Sequence, residues 1–462
     1  MSISTSAISA SNRSKPAGDS TDWTSIILLH ATLCLMICLP SVALAAGTYV
    51  RSSSTTAMAA LVLLGTIPGL ALYLRGRVKI PLSATDFVVW FIVVLGMIGI
   101  VITISGGTEA TGRSIGLSWM TGAKSGYEQV GYFASFVLRN LTLYYWLSRS
   151  RIALNYRLDR SVLIWILITT TLINFGSLGV AIREHTTLGS STRLSDNVDY
   201  WMTINHVGQF GSFAFLVSLL SKSVPKIIRI GCGGLGLYIL LLTQARMTII
   251  ATFVTVLILA TVYLIIHREL WSKVLIFGFG TIFILAVTLP AMMPAIVEIP
   301  AIKKTIERST DDDPTTGRGE TFRAAWEHIT TSPYYGHGWN SDGSRFEQGM
   351  LSLGVEVGVL GVFAYGILTL LAFGVAAKLL FNPDFAEHRH MGYALLVFLV
   401  FLLFRGIGER NHLFQTTTAG ANGSFILLGY GYTVIHATSV ARKVARQKES
   451  KLAGGQAILS SG

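Results

Sequence analysis

Charge is scarce in this chain. Only 13% of its 462 residues are Asp, Glu, Lys or Arg, while 51% are hydrophobic, and a water-soluble domain carries about a quarter charged residues. The shortage excludes an ordinary soluble enzyme. Cysteine is scarcer still: Cys34, Cys38 and Cys232 all lie inside apolar runs, which argues against a disulfide framework or a cysteine-built zinc site. Acidic residues are outnumbered by basic ones, for a formal net charge of +12. That excess does not point to nucleic acid. It falls between apolar runs and in the tail, where bases orient a protein in a membrane. No internal repeat is evident, and repeats are the sequence sign of many transporters.

Long apolar runs are what the chain does have. Spanning a bilayer takes about 20 mostly apolar helical residues, and twelve segments approach that: 24–46, 56–74, 86–104, 127–147, 161–182, 203–221, 226–243, 247–266, 271–294, 350–377, 391–407 and 418–437. They must be helices, because lipid cannot satisfy exposed backbone groups. The sixth, seventh and twelfth are rich in Gly, Ser or Thr, and the run Gly231-Cys232-Gly233-Gly234 suits close helix–helix contact. The fold class expected is all-α, a polytopic integral membrane protein of about twelve spans.

With the N-terminus inside, 21 Lys and Arg fall on inner segments and 14 on outer ones, with Arg139 inside a span. Short loops follow the positive-inside alternation. The organisation expected is a cytoplasmic tail 1–22, spans one to nine over 23–294, a long outer loop 295–349, spans ten to twelve over 350–440 and a cytoplasmic tail 441–462. Both tails read as disordered. The first span reads alternatively as a signal peptide, since Ala43-Leu44-Ala45 resembles a cleavage site.

The long loop concentrates chemistry. It holds Arg318, Glu320, Arg323, Trp326, His328 and His337. Residues 320–330 have helical spacing, with Phe322, Ala325, Trp326 and Ile329 on one face and Arg323 and Glu327 an i, i+4 pair. Pro333 and Gly336 end the element. A plain amphipathic helix lying on the membrane surface would show the same pattern. Asp311-Asp312-Asp313 is either a divalent-cation site or, before Pro314, a solvated turn. Hard cations need several converging oxygens, so no metal or cofactor is expected. A second outer loop, near 183–202, carries Arg183 and Arg193 and is either a grip on a growing chain or a connector. Arg405, Glu409 and Arg410 cluster at the outer end of the eleventh span.

Gly317-Arg318, Trp326, Pro333 and Gly336-His337-Gly338 stand in order before Gly354-Val355-Glu356-Val357-Gly358-Val359-Leu360-Gly361, and Gln244-Ala245-Arg246-Met247 stands upstream. In this order and spacing they resemble the O-antigen ligase and polymerase superfamily of bacterial envelopes, over roughly 240–410. The resemblance implies a C-type glycosyltransferase-like fold in the cytoplasmic membrane. It also implies glycosyl transfer from undecaprenyl pyrophosphate outside that membrane. Flippase and chain-length or export proteins would be partners, and nucleic acid would not. By the same resemblance Arg246 and Arg318 would bind the pyrophosphate, whose developing charge suits the always-charged guanidinium fork. Arg323, Trp326, His337, Glu356, Arg405, Glu409, Arg410, Arg183 and Arg193 would contact substrate. Ligases of the superfamily carry a His-Asn pair before the Glu-x-Gly motif. This chain has Arg345-Phe346-Glu347-Gln348-Gly349 there, closer to polymerases, and Glu347 becomes the candidate general base. His337 is its competitor. The reading is a polymerase of lipid-linked repeat units, with a ligase, or a transporter of lipid-linked sugars, as alternatives.

Overall fold

In the computed structural model, residues 22–42, 54–105, 134, 137–188, 194, 204–271, 288, 318–337, 349–408 and 419–459 are described. They are helical apart from short connections. In chain order the helices are α1 (Trp23–Val42), α2 (Ser54–Arg75), α3 (Ala84–Ser105), α4 (137–147), α5 (Leu158–Arg183), α6 (Ile204–Leu220), α7 (Lys226–Thr243), α8 (Arg246–Ile266), α9 (Arg318–Thr331), α10 (Gly349–Phe381), α11 (Arg389–Gly408) and α12 (Ala419–Leu459). Seven helical segments among the described residues are long and apolar enough to cross a membrane: α1, α5, α7, α8, α10, the stretch Pro383–Ile407 that contains α11, and Ala419–Gln447 of α12. The chain is thus a multi-pass helical membrane protein. The ninth expected span, 271–294, lies outside the described residues except at its first residue and at Thr288, and the possible cleavage site Ala43-Leu44-Ala45 lies outside them altogether.

Helix is forced on these segments by their apolar surroundings, and their few hydroxyls do not disturb it. Thr169, Thr170 and Ser177 each donate to the carbonyl four residues back, at 2.7, 2.8 and 3.0 Å. The centre of the bundle is α11, in which every residue from Ala394 to Leu402 is buried. It packs on α8, α10, α12 and α6. α8 by contrast turns Ile250, Phe253 and Leu257 outward, as a lipid-facing helix does.

α6 packs extensively on α7, and glycine makes the approach close. A Cβ on Gly211 would lie 2.7 Å from the Gly236 carbonyl oxygen, and one on Gly236 would lie 2.6 Å from that of Gly211. The glycine run foreseen for this purpose is only half used. Gly233 meets Ser218, whereas Gly231 and Gly234 face open space.

Two elements differ from the sequence reading. α12 continues to Leu459, through residues expected to form a disordered tail. Once a spanning helix is nucleated, extension through Ala, Lys, Arg and Gln needs no new nucleus. α10 is broken at Gly358 (φ 70°, ψ −176°). The 23 residues after the break, 359–381, extend about 35 Å and are long enough to cross the bilayer alone. Residues 349–357 form a separate short helix at its end.

Short contacts give the bundle two ends. At one, Asp159 opens α5 and accepts from His390 at the start of α11, whose Nε2–H donates to the carbonyl of Leu220 closing α6 at 2.5 Å. At the other, Arg405 on the last turn of α11 reaches the openings of α6 and α8. The second end therefore gathers the close of α5, the opening of α6, the α7–α8 turn, the opening of α10 and the close of α11.

Candidate active site at one end of the bundle

Most of the described candidate residues fall at this second end. The α7–α8 turn is made by Gln244 and Ala245 alone. Gln244 takes a left-handed conformation (φ 51°), and Arg246 then opens α8 with its side chain exposed. Three neighbours crowd the turn. Gly208 of α6 lies against it so closely that a Cβ there would be 3.1 Å from Thr243 Oγ1 and 3.2 Å from Ala245 Cβ. Leu194, fully buried, donates its N–H to the Leu242 carbonyl at 3.3 Å, just before the turn. From α11, Arg405 donates through Nε to Thr248 Oγ1 at 3.2 Å and through Nη2 to the Asn205 carbonyl at 2.7 Å. Arg405 is only 1% exposed, so it is part of the protein interior rather than a surface grip. Arg183 closes α5 at the same end and is exposed.

Below this turn runs a seam of polar groups. Thr252 of α8 donates to Ser212 of α6 at 2.8 Å. Gln209, one turn from Asn205, is fully buried, and neither of its amide atoms has a hydrogen-bond partner among the described residues. The rings of Phe213 and Phe401, 4.8 Å apart, form an apolar layer one turn deeper.

The second part of the site is α9 on the opening of α10. α9 docks through its small aliphatic residues: Ala325 and Ile329 pack with Val355, flanked by Leu351. Gly354 leaves room for Ile329, whose Cδ1 would be 2.9 Å from a Cβ there. Phe322 and Trp326 were expected on the same face as Ala325 and Ile329, but they are turned outward, Trp326 by 61%. Ala325 and Ile329 form the stripe that meets α10, and Phe322 and Trp326 lie round to one side of it on the helix. Arg323 and Glu327 are exposed beside them.

After α9 the chain folds back and locks into the break of α10. His337 N–H donates to the Val355 carbonyl at 2.7 Å, and Val359 N–H donates to the Pro333 carbonyl at 2.8 Å. The two glycine motifs make this possible reciprocally. A Cβ on Gly336 (φ 68°) would lie 2.5 Å from the backbone of Glu356 and Val357. One on Gly358 would lie 2.4 Å from that of Tyr334. Motifs some twenty residues apart are thus one backbone clasp.

His337 is held within it. Its Nε2 is 2.8 Å from the His328 carbonyl and 3.0 Å from Thr331 Oγ1. A carbonyl only accepts, so Nε2 carries the proton, and in the neutral ring Nδ1 holds the lone pair. Glu356, on the last turn before the break, is 1% exposed. Arg318 opens α9. Glu347, Arg193, Glu409, Arg410 and Asp311 to Asp313 lie outside the described residues.

Sequence reasoning passed over Asn205, Gln209 and Thr248. The sixth span does announce itself: Asn205, His206, Gln209 and Ser212 follow one another at helical spacing in an otherwise apolar segment. Thr248 gave no signal, because a threonine in a membrane helix ordinarily bonds its own backbone.

The chain is a multi-pass helical membrane protein that gathers exposed arginine and a clasped helix at one end of its bundle. Residues 232–366 match the family model described as O-antigen ligase, so this part of the chain is similar to the O-antigen ligase and polymerase superfamily. The matched stretch takes in the α7–α8 turn, α9 and the clasp, and ends before Arg405. No curated protein matches the chain.

Proposed function

We propose that the chain is a polymerase of lipid-linked polysaccharide repeat units. It would transfer the growing glycan from undecaprenyl pyrophosphate to the next lipid-linked unit, at the outer face of the cytoplasmic membrane. The frame is a C-type glycosyltransferase-like bundle of about twelve spans with both termini cytoplasmic and 295–349 as the long outer loop. The observation that carries the reading is Arg246: an exposed guanidinium on a crowded turn, inside the stretch similar to the superfamily, at the end of the bundle that also receives α9 with Arg318 at its head.

In the reaction an acceptor hydroxyl attacks the anomeric carbon of the donor sugar. The bond from that carbon to the pyrophosphate oxygen breaks, and its electron pair stays on the pyrophosphate. Arg246 and Arg318 stabilise the charge that develops, an effect that is often the largest single catalytic contribution. Glu347 takes the proton from the hydroxyl, with His337 Nδ1 as the competing base. Arg323, Trp326 and Arg183 offer exposed contacts for the glycan.

A ligase is favoured by the description of the family model. Against it stands the sequence Arg345-Phe346-Glu347-Gln348-Gly349, which lacks the histidine of superfamily ligases. The break in α10 is of the kind transporters use, but transporter breaks lie near the midplane. This one follows nine residues of helix at the end of α10 and is filled by the backbone of Pro333 and His337.

Deleting the gene separates the readings. A polymerase leaves single lipid-linked repeats, a ligase leaves long lipid-linked chains, and a transporter never lengthens repeats in detergent. Arg246→Ala and Arg318→Ala should abolish polymer at unchanged protein level, and normal polymer from both would overturn the assignment.

A further inference from the structure

The turn that presents Arg246 has little rigidity of its own. Two residues make it, one of them left-handed, and Ala245 supplies no side-chain cap to α8. A bound pyrophosphate would pull on the first turn of α8, and productive geometry tolerates little displacement. Something must hold that turn.

We propose that Arg405 is a positioning residue for Arg246; the proposal rests on the reading of Arg246 as the pyrophosphate ligand. Thr248 is two residues beyond Arg246 on the same helical turn, so any rotation or slide of that turn moves both. Arg405 bonds Thr248 Oγ1 and the Asn205 carbonyl at once, at 3.2 and 2.7 Å. A guanidinium is planar, and two directed bonds from one plane fix both distance and rotation. The bonds therefore tie the close of α11, the opening of α6 and the opening of α8 at one point. They lie in the buried interior, where a hydrogen bond is stronger than in water.

The surrounding layer is built for such a tie. α6 and α11 run antiparallel, with Phe213 against Phe401, so one turn toward the site end brings Gln209 and Arg405 to the same level. The phenylalanine rings form the floor of this polar layer, and the fully buried Gln209 amide shares it. Arg405 therefore acts through Arg246 and does not touch substrate. Sequence reasoning placed it with Glu409 and Arg410 as a substrate contact, and its burial redirects that role.

The test uses the full-length protein in detergent, with lipid-linked repeat units extracted from the deletion strain as substrate. Thr248→Val keeps the side-chain shape and removes the acceptor. It should lower kcat about 10-fold, the worth of one hydrogen bond to a charged group, with a modest fall in the thermal midpoint because the Asn205 carbonyl still holds Arg405. Arg405→Lys, which cannot make both bonds from one plane, should fall at least as far. Placed in an Arg246→Lys background, Thr248→Val should cost less than about 2-fold, because the two act as one unit. Unchanged kcat in both Thr248→Val and Arg405→Lys would overturn the proposal. So would the same fall in both backgrounds, which would mark Arg405 as merely structural. If Thr248→Val does not fold, Arg405→Lys carries the same comparison. Full activity in Arg246→Ala would instead overturn the reading of Arg246 itself, whatever Arg405 does.

Discussion

Several arginines at the two ends of the bundle meet different partners. At the end away from the candidate site, cations meet carboxylates of the chain. Arg149 donates to both oxygens of Asp86 at 2.6 and 2.8 Å with both side chains buried, and stacks on Tyr145 at 4.1 Å. Arg157 pairs with Asp159, Arg442 with Asp384 and Arg75 with Asp22. At the site end, Arg405 bonds a hydroxyl and a carbonyl, while Arg246 and Arg183 are exposed. At the first end these four arginines pair with carboxylates of the chain itself. The other end holds its exposed arginines where an anion from outside would be the natural complement. Mutations of these arginines at the two ends should therefore read out differently.

The largest effect is expected at the clasp. Gly358→Ala puts a Cβ into the Tyr334 backbone at a positive φ, so α9 must lift from α10. Activity should fall at least about 100-fold, as it does when a site is displaced by an ångström, and limited proteolysis should cut within 318–337 faster. Wild-type activity would show that the clasp is dispensable.

Next comes the opposite end. Asp86→Asn leaves Arg149 buried beside a neutral partner, which costs about 3–5 kcal/mol for a broken buried pair. Thermal unfolding in detergent should drop accordingly. Replacing both residues, as Asp86→Leu with Arg149→Met, should recover most of it. Loss of polymer by Asp86→Asn at unchanged stability would break the comparison, since that end would then be doing chemistry.

A smaller and opposite change is expected at Gln209. Gln209→Leu removes two unbonded polar atoms from the interior and should raise stability by about 1 kcal/mol. A fall would mean that the amide has a partner in the working protein. The smallest effect belongs to the exposed pair: Arg75→Ala should leave the thermal midpoint unmoved, because solvent and salt screen such contacts.

Much of this was legible in advance. Helix positions followed from apolar run length, so α5, α7 and α8 fall within a few residues of the segments read from the sequence. Helix ends were less legible, because the bilayer boundary does not stop a helix such as α12, whose extension through 441–453 is rich in Ala, Lys, Arg and Gln. At the site, the two glycine motifs were visible as motifs, yet their purpose was not. Gly336 and Gly358 matter for what approaches them, and no spacing rule says that they approach each other. Phe322 and Trp326 shared a helical face with Ala325 and Ile329 on paper, and only the way α9 packs on α10 decided which pair went in.

What the sequence determined by itself is the class: scarce charge, long apolar runs and bases between them leave only a helical protein in a membrane, because backbone groups in lipid have no other partners. The ordered motifs also pointed to the superfamily. Only the tertiary structure decided that Arg405 is buried on Thr248 while Arg246 is exposed, and that the Gly336 and Gly358 motifs form one clasp. Burial and close approach are properties of helices packed side by side, and residues 157 positions apart, like Thr248 and Arg405, share no local signal that would announce their contact.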